Sequence, residues 1–223
     1  MFCRVKKLRR PGPHNSFATG PVSGIRKGFA HYPQGFPQNF AESVDKSVAP
    51  FVPANFRISD DHLGEGGAKV KFQRNMEAIH LLHRLEAGQR MATPQEQSVL
   101  SRYVGWGGLA DAFDPEKTAW AREYRELSAA LTPQEYEAAR ASTLNAHYTS
   151  PVVIRAMYDA VAQMGFTGGN ILEPSMGVGN FFGLLPESMQ DSRLYGVELD
   201  SITGRIARQL YPKADITVAG FET

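Results

Sequence analysis

Apolar positions in the middle of the chain recur with the spacing of α-helices. Met76, Ile79, Leu82 and Leu85 follow one another at intervals of three within residues 68–87, with charged residues between them. This periodicity predicts an amphipathic helix. One face of that helix should be buried, and the opposite face should contact solvent.

Two later helix starts carry the same local signal. The sequence "TPQE" occurs at 93–96 and again at 132–135. Each copy supplies a capping hydroxyl, a proline suited to the first helical position and a glutamate that can reach back to the cap. Helices should therefore begin at Pro94 and run over 133–141, and "KTAWAREYRELSAAL" between them predicts a third. Residues 51–142 are predicted to form a small all-helical unit.

The pattern changes after residue 142, where short strand-like runs alternate with helical ones. "NILEP", "RLYGVEL" and "DITVAGF" predict strands, while "NFFGLLPESM" and "SITGRIARQLY" predict helices. This alternation is typical of a parallel, doubly wound sheet, whose ligands bind beyond the carboxyl ends of the strands. A leading helix, capped by Ser150, is predicted to have one apolar face: Val153, Ile154, Met157, Ala160 and Val161.

Charge is distributed unevenly along the chain. Residues 1–49 hold 8 Lys and Arg against 2 Asp and Glu, and the remaining residues hold 16 against 21. The first 50 residues are also rich in Pro, Gly and Ser without regular periodicity, which predicts a disordered basic head. The alternative is a segment that contacts nucleic acid or an anionic surface.

Composition excludes some classes of protein. Cys3 is the only cysteine, so no internal disulfide can form, which fits a reducing cytoplasm. No apolar run approaches the roughly 20 residues of a membrane span, and we expect a soluble cytoplasmic protein without membrane contacts. His80 and His83 could share a helix face, but no third ligand lies nearby in sequence, so no metal site is predicted.

The segment "ILEPSMGVGNFF" places a G-x-G loop after the first predicted strand. Such a loop suits either a dinucleotide or S-adenosylmethionine, since both need close approach to the backbone. The dinucleotide pattern wants a third glycine where this chain has Phe182, so that class is disfavoured but not excluded. Glu198 follows Gly177 by 21 residues, near the spacing of an acid that binds ribose hydroxyls. Together these features predict a nucleoside cofactor.

The sequence "GWGG" at 105–108 leaves two interpretations open. A tryptophan among glycines can be an exposed platform for a ligand or for DNA. The other possibility, which we favour, is a packed aromatic at a helix end whose neighbours need positive φ.

Two segments, "NAHYTSPVVIRAMYDAV" and "ILEPSMGVGNFF", resemble the cofactor half of adenine-specific, amino-group DNA methyltransferases. The resemblance implies a partial Rossmann-like S-adenosylmethionine-dependent methyltransferase fold over 143–223, with DNA as the partner. In a methyltransferase, the partner of a buried Glu173 can be the amino group of the cofactor or a nearby backbone donor, and the alternative is an acid that only caps a helix or fixes the loop. The implied cofactor contacts match the family's Y-T-x-P and E-P-x-x-G-x-G-x-F motifs and its second-strand acid, with Asp200 as a weaker candidate: Tyr148, Thr149, Pro151, Glu173, Pro174, Gly177, Gly179, Phe181, Glu198 and Asp200.

A wider resemblance covers residues 55–223. "NFRISDDHLGEGGAKVKFQRN", "LSRYVGWGGLADAF" and "LYGVELDSITGRIARQLYPKADITVAGFE" are similar to the front of very large proteins of conjugative elements and phages. In those proteins a DNA methyltransferase-like domain is joined to a Swi/Snf-type helicase. Residues 1–49 match nothing in this pattern.

One family feature is missing from the sequence. These enzymes use a [DNS]-P-P-[YFW] loop to hold the target amine and stack on the flipped base, yet no Pro-Pro pair occurs anywhere in this chain. Only three strands are predicted, about half of a complete domain. We therefore expect the front piece of a longer methyltransferase, with no catalytic residue present and no activity alone. The alternatives are a non-catalytic DNA-associated or interaction module on the same scaffold and, more distantly, half of a nicotinamide-binding domain.

Overall fold

The computed structural model describes residues 52–222, so the predicted disordered head lies outside the described residues. The described part is one compact unit with a mixed α/β architecture. No helix within it combines the length and apolarity needed to cross a membrane. The elements, in chain order, are α1 (Ala68–Ala87), α2 (Pro94–Leu100), α3 (Ala121–Ala130), α4 (Pro133–Ala141), α5 (Pro151–Gln163), β1 (Asn170–Glu173), α6 (Asn180–Gly183), β2 (Arg193–Glu198), α7 (Ser201–Leu210) and β3 (Asp215–Val218).

The helical part follows its sequence signals closely. Helix α1 has the predicted bounds, and its periodic apolar positions are fully buried. Both "TPQE" copies form complete capping boxes, in which Thr93 and Thr132 accept from the backbone at the third helical position. The predicted third helix is split, because residues 118–120 form a 3₁₀ turn before α3 begins.

Trp106 of the "GWGG" loop is 1% exposed, which confirms the packed-aromatic interpretation. Its ring meets Phe72, Tyr103 and Phe113 edge to face, with centroids 5.3–6.4 Å apart. Aromatic pairs prefer this geometry. The side chain of Asn75 on α1 fixes the start of the loop. Its Nδ2 donates to the Gly105 carbonyl at 2.6 Å, and its Oδ1 accepts from the Val104 amide at 2.9 Å.

The three strands form one parallel sheet in the order β1-β2-β3, as the alternating pattern predicts. The register pairs Glu173 with Gly196 and Glu198 with Val218. Helix α7 connects β2 to β3 and buries Ile202, Ile206 and Leu210 against the core. Since parallel strands end at the same edge, this topology places the ends of β1 and β2 side by side.

Two helix predictions in this part were wrong in detail. The segment 180–189 is not one helix: α6 has four residues, and a separate 3₁₀ turn follows at 187–189. Pro186 explains the break, since a proline disfavours helical geometry in the residue before it. Helix α5 buries Ile154 and Tyr158, whereas Val153 and Met157 of the predicted apolar face are 47% and 50% exposed.

Polar contacts join the helical part to the α/β part. The buried Gln97 amide on α2 donates to the carbonyls of Ala54 and Gln209 at 2.9 and 3.0 Å. Arg205 of α7 pairs with Glu135 of α4 at 2.6 Å. A buried side-chain amide needs partners, so Gln97 ties α2 to the end of α7.

Candidate functional site

The carboxyl ends of β1 and β2 open onto a cavity of about 550 Å³. Glu173 is the last residue of β1, and Glu198 is the last residue of β2. The glycine loop after β1 forms one wall, and residues 146–149 form another. The cavity therefore lies where ligands of parallel α/β sheets bind.

Glu198 ties the glycine loop to the end of β2. One of its carboxylate oxygens accepts from the Gly177 amide at 2.8 Å, and the other accepts from the Asp200 amide at 2.9 Å. Burial raises the pKa of Glu198, while these two amide donors act in the opposite direction. The carboxylate is thus held in one orientation with lone pairs left for a ligand.

Glu173 differs from Glu198 because one of its carboxyl oxygens is buried without a hydrogen-bond partner among the described residues. Burial, reinforced by the nearby charge of Glu198, raises the pKa of Glu173 to about 8. A buried carboxyl is favoured in its neutral form unless a cation or donor compensates it. This carboxyl therefore suits a ligand that brings a positive charge or an N–H donor.

Gly177 brings bare backbone to the cavity. Its φ is +57°, and a Cβ atom there would lie 2.8 Å from Cε1 of Tyr148. A side chain would meet both an unfavourable backbone conformation and a ring in its path. Burial raises the pKa of Tyr148 above its ordinary range, so its hydroxyl remains protonated.

The structure gathers most of the residues implied by the family motifs around this cavity. Pro151 instead lines a neighbouring cavity of about 330 Å³, which shares Tyr148 and Thr149 with the first. Pro174 is exposed, and the buried Gly179 lies against Tyr211, so its lack of a side chain serves core packing. The implied contacts that line the main cavity are Tyr148, Thr149, Glu173, Gly177, Phe181, Glu198 and Asp200.

Asp200 has a local structural task as well as a place at the cavity. It is the N-cap of α7, and its Oδ1 accepts from the amide and the hydroxyl of Thr203 at 2.7 and 2.6 Å. Aspartate is a favoured N-cap residue for this reason. Helix capping by itself therefore accounts for an aspartate at this position.

Sequence reasoning missed the contribution of the helical part to the cavity. Of the lining residues that were not predicted, Tyr103, Gly105 and Ser142 belong to the helical part and bring polar atoms or bare backbone to the cavity. For Tyr103 the available signal was its position just before "GWGG", at the end of the helical unit. The missed lining residues that carry polar side chains or bare backbone are Tyr103, Gly105, Ser142, Asn145, His147, Ser175, Asn180 and Thr203.

The carboxyl groups that line the cavity bear on the two ligand classes left open by the glycine loop. Three carboxyl groups line it, from Glu173, Glu198 and Asp200, and no lysine or arginine does so among the described residues. A pyrophosphate would meet these acids without a compensating cation. The sulfonium and ammonium groups of S-adenosylmethionine would meet them with the favourable sign.

Comparison with known proteins gives one distant similarity. The chain is 23% identical over 159 residues, 71% of its length, to the Defense against restriction protein B of Escherichia phage P1. The matched region covers 6% of that phage protein, so the chain spans only a small part of its relative's length. No protein-family model matches the chain. No solved structure matches it either.

Proposed function

We propose that this chain forms the S-adenosylmethionine-binding part of an adenine-specific, amino-group DNA methyltransferase domain. The observation that carries the proposal is the acidic cavity at the ends of β1 and β2, which is lined by Glu173, with its unpartnered carboxyl oxygen, and by the fixed carboxylate of Glu198. The motifs at Tyr148 and Gly177 meet at the same cavity, which supports the same ligand class.

The residues present fit this cofactor by the chemistry of their donors and acceptors. Glu173 accepts from the ammonium group, and Glu198 accepts from the ribose hydroxyls. Gly177 lets the backbone approach, and Tyr148 closes the cavity over the glycine loop. When bound, S-adenosylmethionine supplies an electrophilic methyl group on its sulfonium. The protein's part is to hold that group in line and away from water.

DNA and a longer polypeptide are the proposed partners. The phage relative is far larger than the matched region, which supports a protein with further domains, as the resemblance to helicase-linked methyltransferases implies. A name that refers to defence against restriction fits modification of DNA, because methylated DNA resists many restriction enzymes. Adenine methylation is therefore proposed for the whole protein rather than for this chain alone.

The direct test is binding of S-adenosylmethionine to the purified chain by isothermal titration calorimetry. We expect saturable binding and a loss of about ten-fold or more in Glu198→Gln, because a charge-assisted hydrogen bond is replaced by a neutral one. The matched control is Glu187→Gln on the exposed 3₁₀ turn, which should bind like the wild type.

The same titration with NAD separates the ligand classes. Preference for NAD would replace the methyltransferase proposal with a nicotinamide-binding one. Absence of binding to either ligand by a folded chain would favour the non-catalytic scaffold.

A further inference from the structure

Tyr103 brings a polar atom from the helical part into the cavity. The residue follows α2, is 1% exposed and lines the cavity beside Asp200 and Thr203. The Thr203 side chain lowers the pKa of this hydroxyl in the way a hydrogen-bond partner does, yet no described residue meets the distance and angle of a hydrogen bond to it. Buried hydroxyls nearly always have a partner in native proteins, so this one points to a ligand.

Packing in the hydrophobic core fixes the position of the Tyr103 ring. It packs edge to face on Trp106, with centroids 6.4 Å apart at 89°. The next residues are fixed by the two hydrogen bonds of the buried Asn75. A rigid ring presents its hydroxyl at a preset position, which lowers the entropy lost on binding.

The surroundings of this hydroxyl define the chemistry of its ligand. Burial raises the pKa of Tyr103 well above its ordinary value, and the nearby charge of Asp200 adds to that effect. The phenol is therefore protonated at all physiological pH values. The carboxylates of Asp200 and Glu198 already accept from backbone amides. A ligand hydroxyl can donate to a remaining carboxylate lone pair and accept from the phenol at the same time.

We propose that the Tyr103 hydroxyl binds a ribose hydroxyl of the cofactor, which makes the helical part a component of the cofactor site. The inference rests on the proposed function, since it names a further contact in the same cavity.

The test is Tyr103→Phe, which removes one oxygen and keeps the ring on Trp106. By calorimetry, S-adenosylmethionine should bind about five- to ten-fold more weakly to this variant, the usual effect of one neutral hydrogen bond. The melting temperature should stay the same or rise, because an unpartnered buried hydroxyl is lost. Tyr136→Phe is the matched control: its hydroxyl donates to the Phe113 carbonyl at 3.4 Å and does not line the cavity.

A series of adenosine analogues shows which ribose hydroxyl the Tyr103 hydroxyl binds. Adenosine, 2′-deoxyadenosine and 3′-deoxyadenosine are titrated into the wild type and Tyr103→Phe as a double-mutant cycle. One deoxy analogue should bind more weakly than adenosine to the wild type, and most of that difference should vanish in the variant. Equal penalties in both proteins would overturn the ribose assignment.

Different binding results would overturn the Tyr103 contact and the proposed function. If the wild type binds S-adenosylmethionine and Tyr103→Phe binds it equally well, the Tyr103 contact is wrong and the proposed function stands. If the folded wild type binds neither S-adenosylmethionine nor adenosine, both proposals fall.

Discussion

At the scale of single residues, Glu173 is the group whose state most depends on its surroundings. Its pKa rises from 4.5 to about 8, chiefly through burial and then through the charge of Glu198. A carboxyl with this pKa is largely neutral at pH 7 in the ligand-free protein. A cationic ligand would draw off the proton, since an opposite charge favours the ionised form.

This shift predicts a pH-dependent stability. An acid whose pKa is higher in the folded state than in the unfolded state stabilises the fold at low pH, and that contribution is lost as pH rises from 4.5 towards 8. Glu173→Gln removes the titration and keeps the shape. The variant should match the wild type near pH 4.5 and be more stable above pH 8, with the difference in stability growing between these two pH values.

Thermal melts of ligand-free wild type and Glu173→Gln at several pH values check this prediction. Glu187→Gln, an exposed glutamate, controls for general charge effects. A difference between Glu173→Gln and the wild type that does not change with pH would show that Glu173 titrates normally.

At the scale of elements, the "GWGG" loop supports the wall of the cavity that carries Tyr148. The Gly108 amide donates to the Thr143 carbonyl at 3.1 Å. The loop packs so closely on the following segment that a Cβ at Gly107 would meet the Ala146 carbonyl oxygen. Close contact with residues 146–148 thus explains Gly105 and Gly107, whereas Gly108 has open space around its Cβ position and a φ of +73° that favours glycine.

Gly107→Ala should therefore weaken ligand binding, although Gly107 does not line the main cavity. Because the clashing atom belongs to the backbone, residues 146–149 must move, and overpacking of this kind typically costs about 1–3 kcal/mol. We expect a lower melting temperature and at least ten-fold weaker binding of S-adenosylmethionine by calorimetry. Gly67→Ala is the control, since no atom lies within 4 Å of its added Cβ. Wild-type affinity in a folded Gly107→Ala protein would refute the supporting role of the loop.

At the scale of the whole molecule, we expect the chain to bind the cofactor without catalysing methyl transfer. The cavity gathers hydrogen-bond donors and acceptors that suit the proposed cofactor, while the sequence holds no Pro-Pro pair for the loop that would receive the target base. Binding of the cofactor without that loop gives no aligned acceptor amine, and alignment is a large part of the rate enhancement.

We accordingly predict that the purified chain does not methylate DNA. Transfer of labelled methyl from S-adenosylmethionine to adenine-containing DNA should equal the blank, with an active adenine methyltransferase as the positive control. Turnover above the blank would show that other residues replace the missing loop.

The sequence alone determined the elements whose signals are local. The spacing of Met76 and Ile79, the two capping boxes and the alternation of strands with helices correctly predicted α1, α4, the start of α2 and the parallel sheet, while α2 ends at Leu100 and does not continue to the "GWGG" loop. These signals lie within a few residues, so no distant contact is needed to decide them. The motif around Gly177 also placed the cavity at the correct edge of the sheet.

Only the tertiary structure decided which residues distant in sequence line the same cavity. Tyr103 lies about 70 residues before Glu173 in the sequence. Both residues line the same cavity because Asn75 on α1 and the Trp106 ring hold the loop that follows Tyr103 in place. Which side of α5 is buried, and whether a carboxyl such as Glu173 finds a partner, likewise depend on packing between distant elements. Burial, and the pKa that follows from it, is a property of the assembled fold, and local sequence carries no record of it.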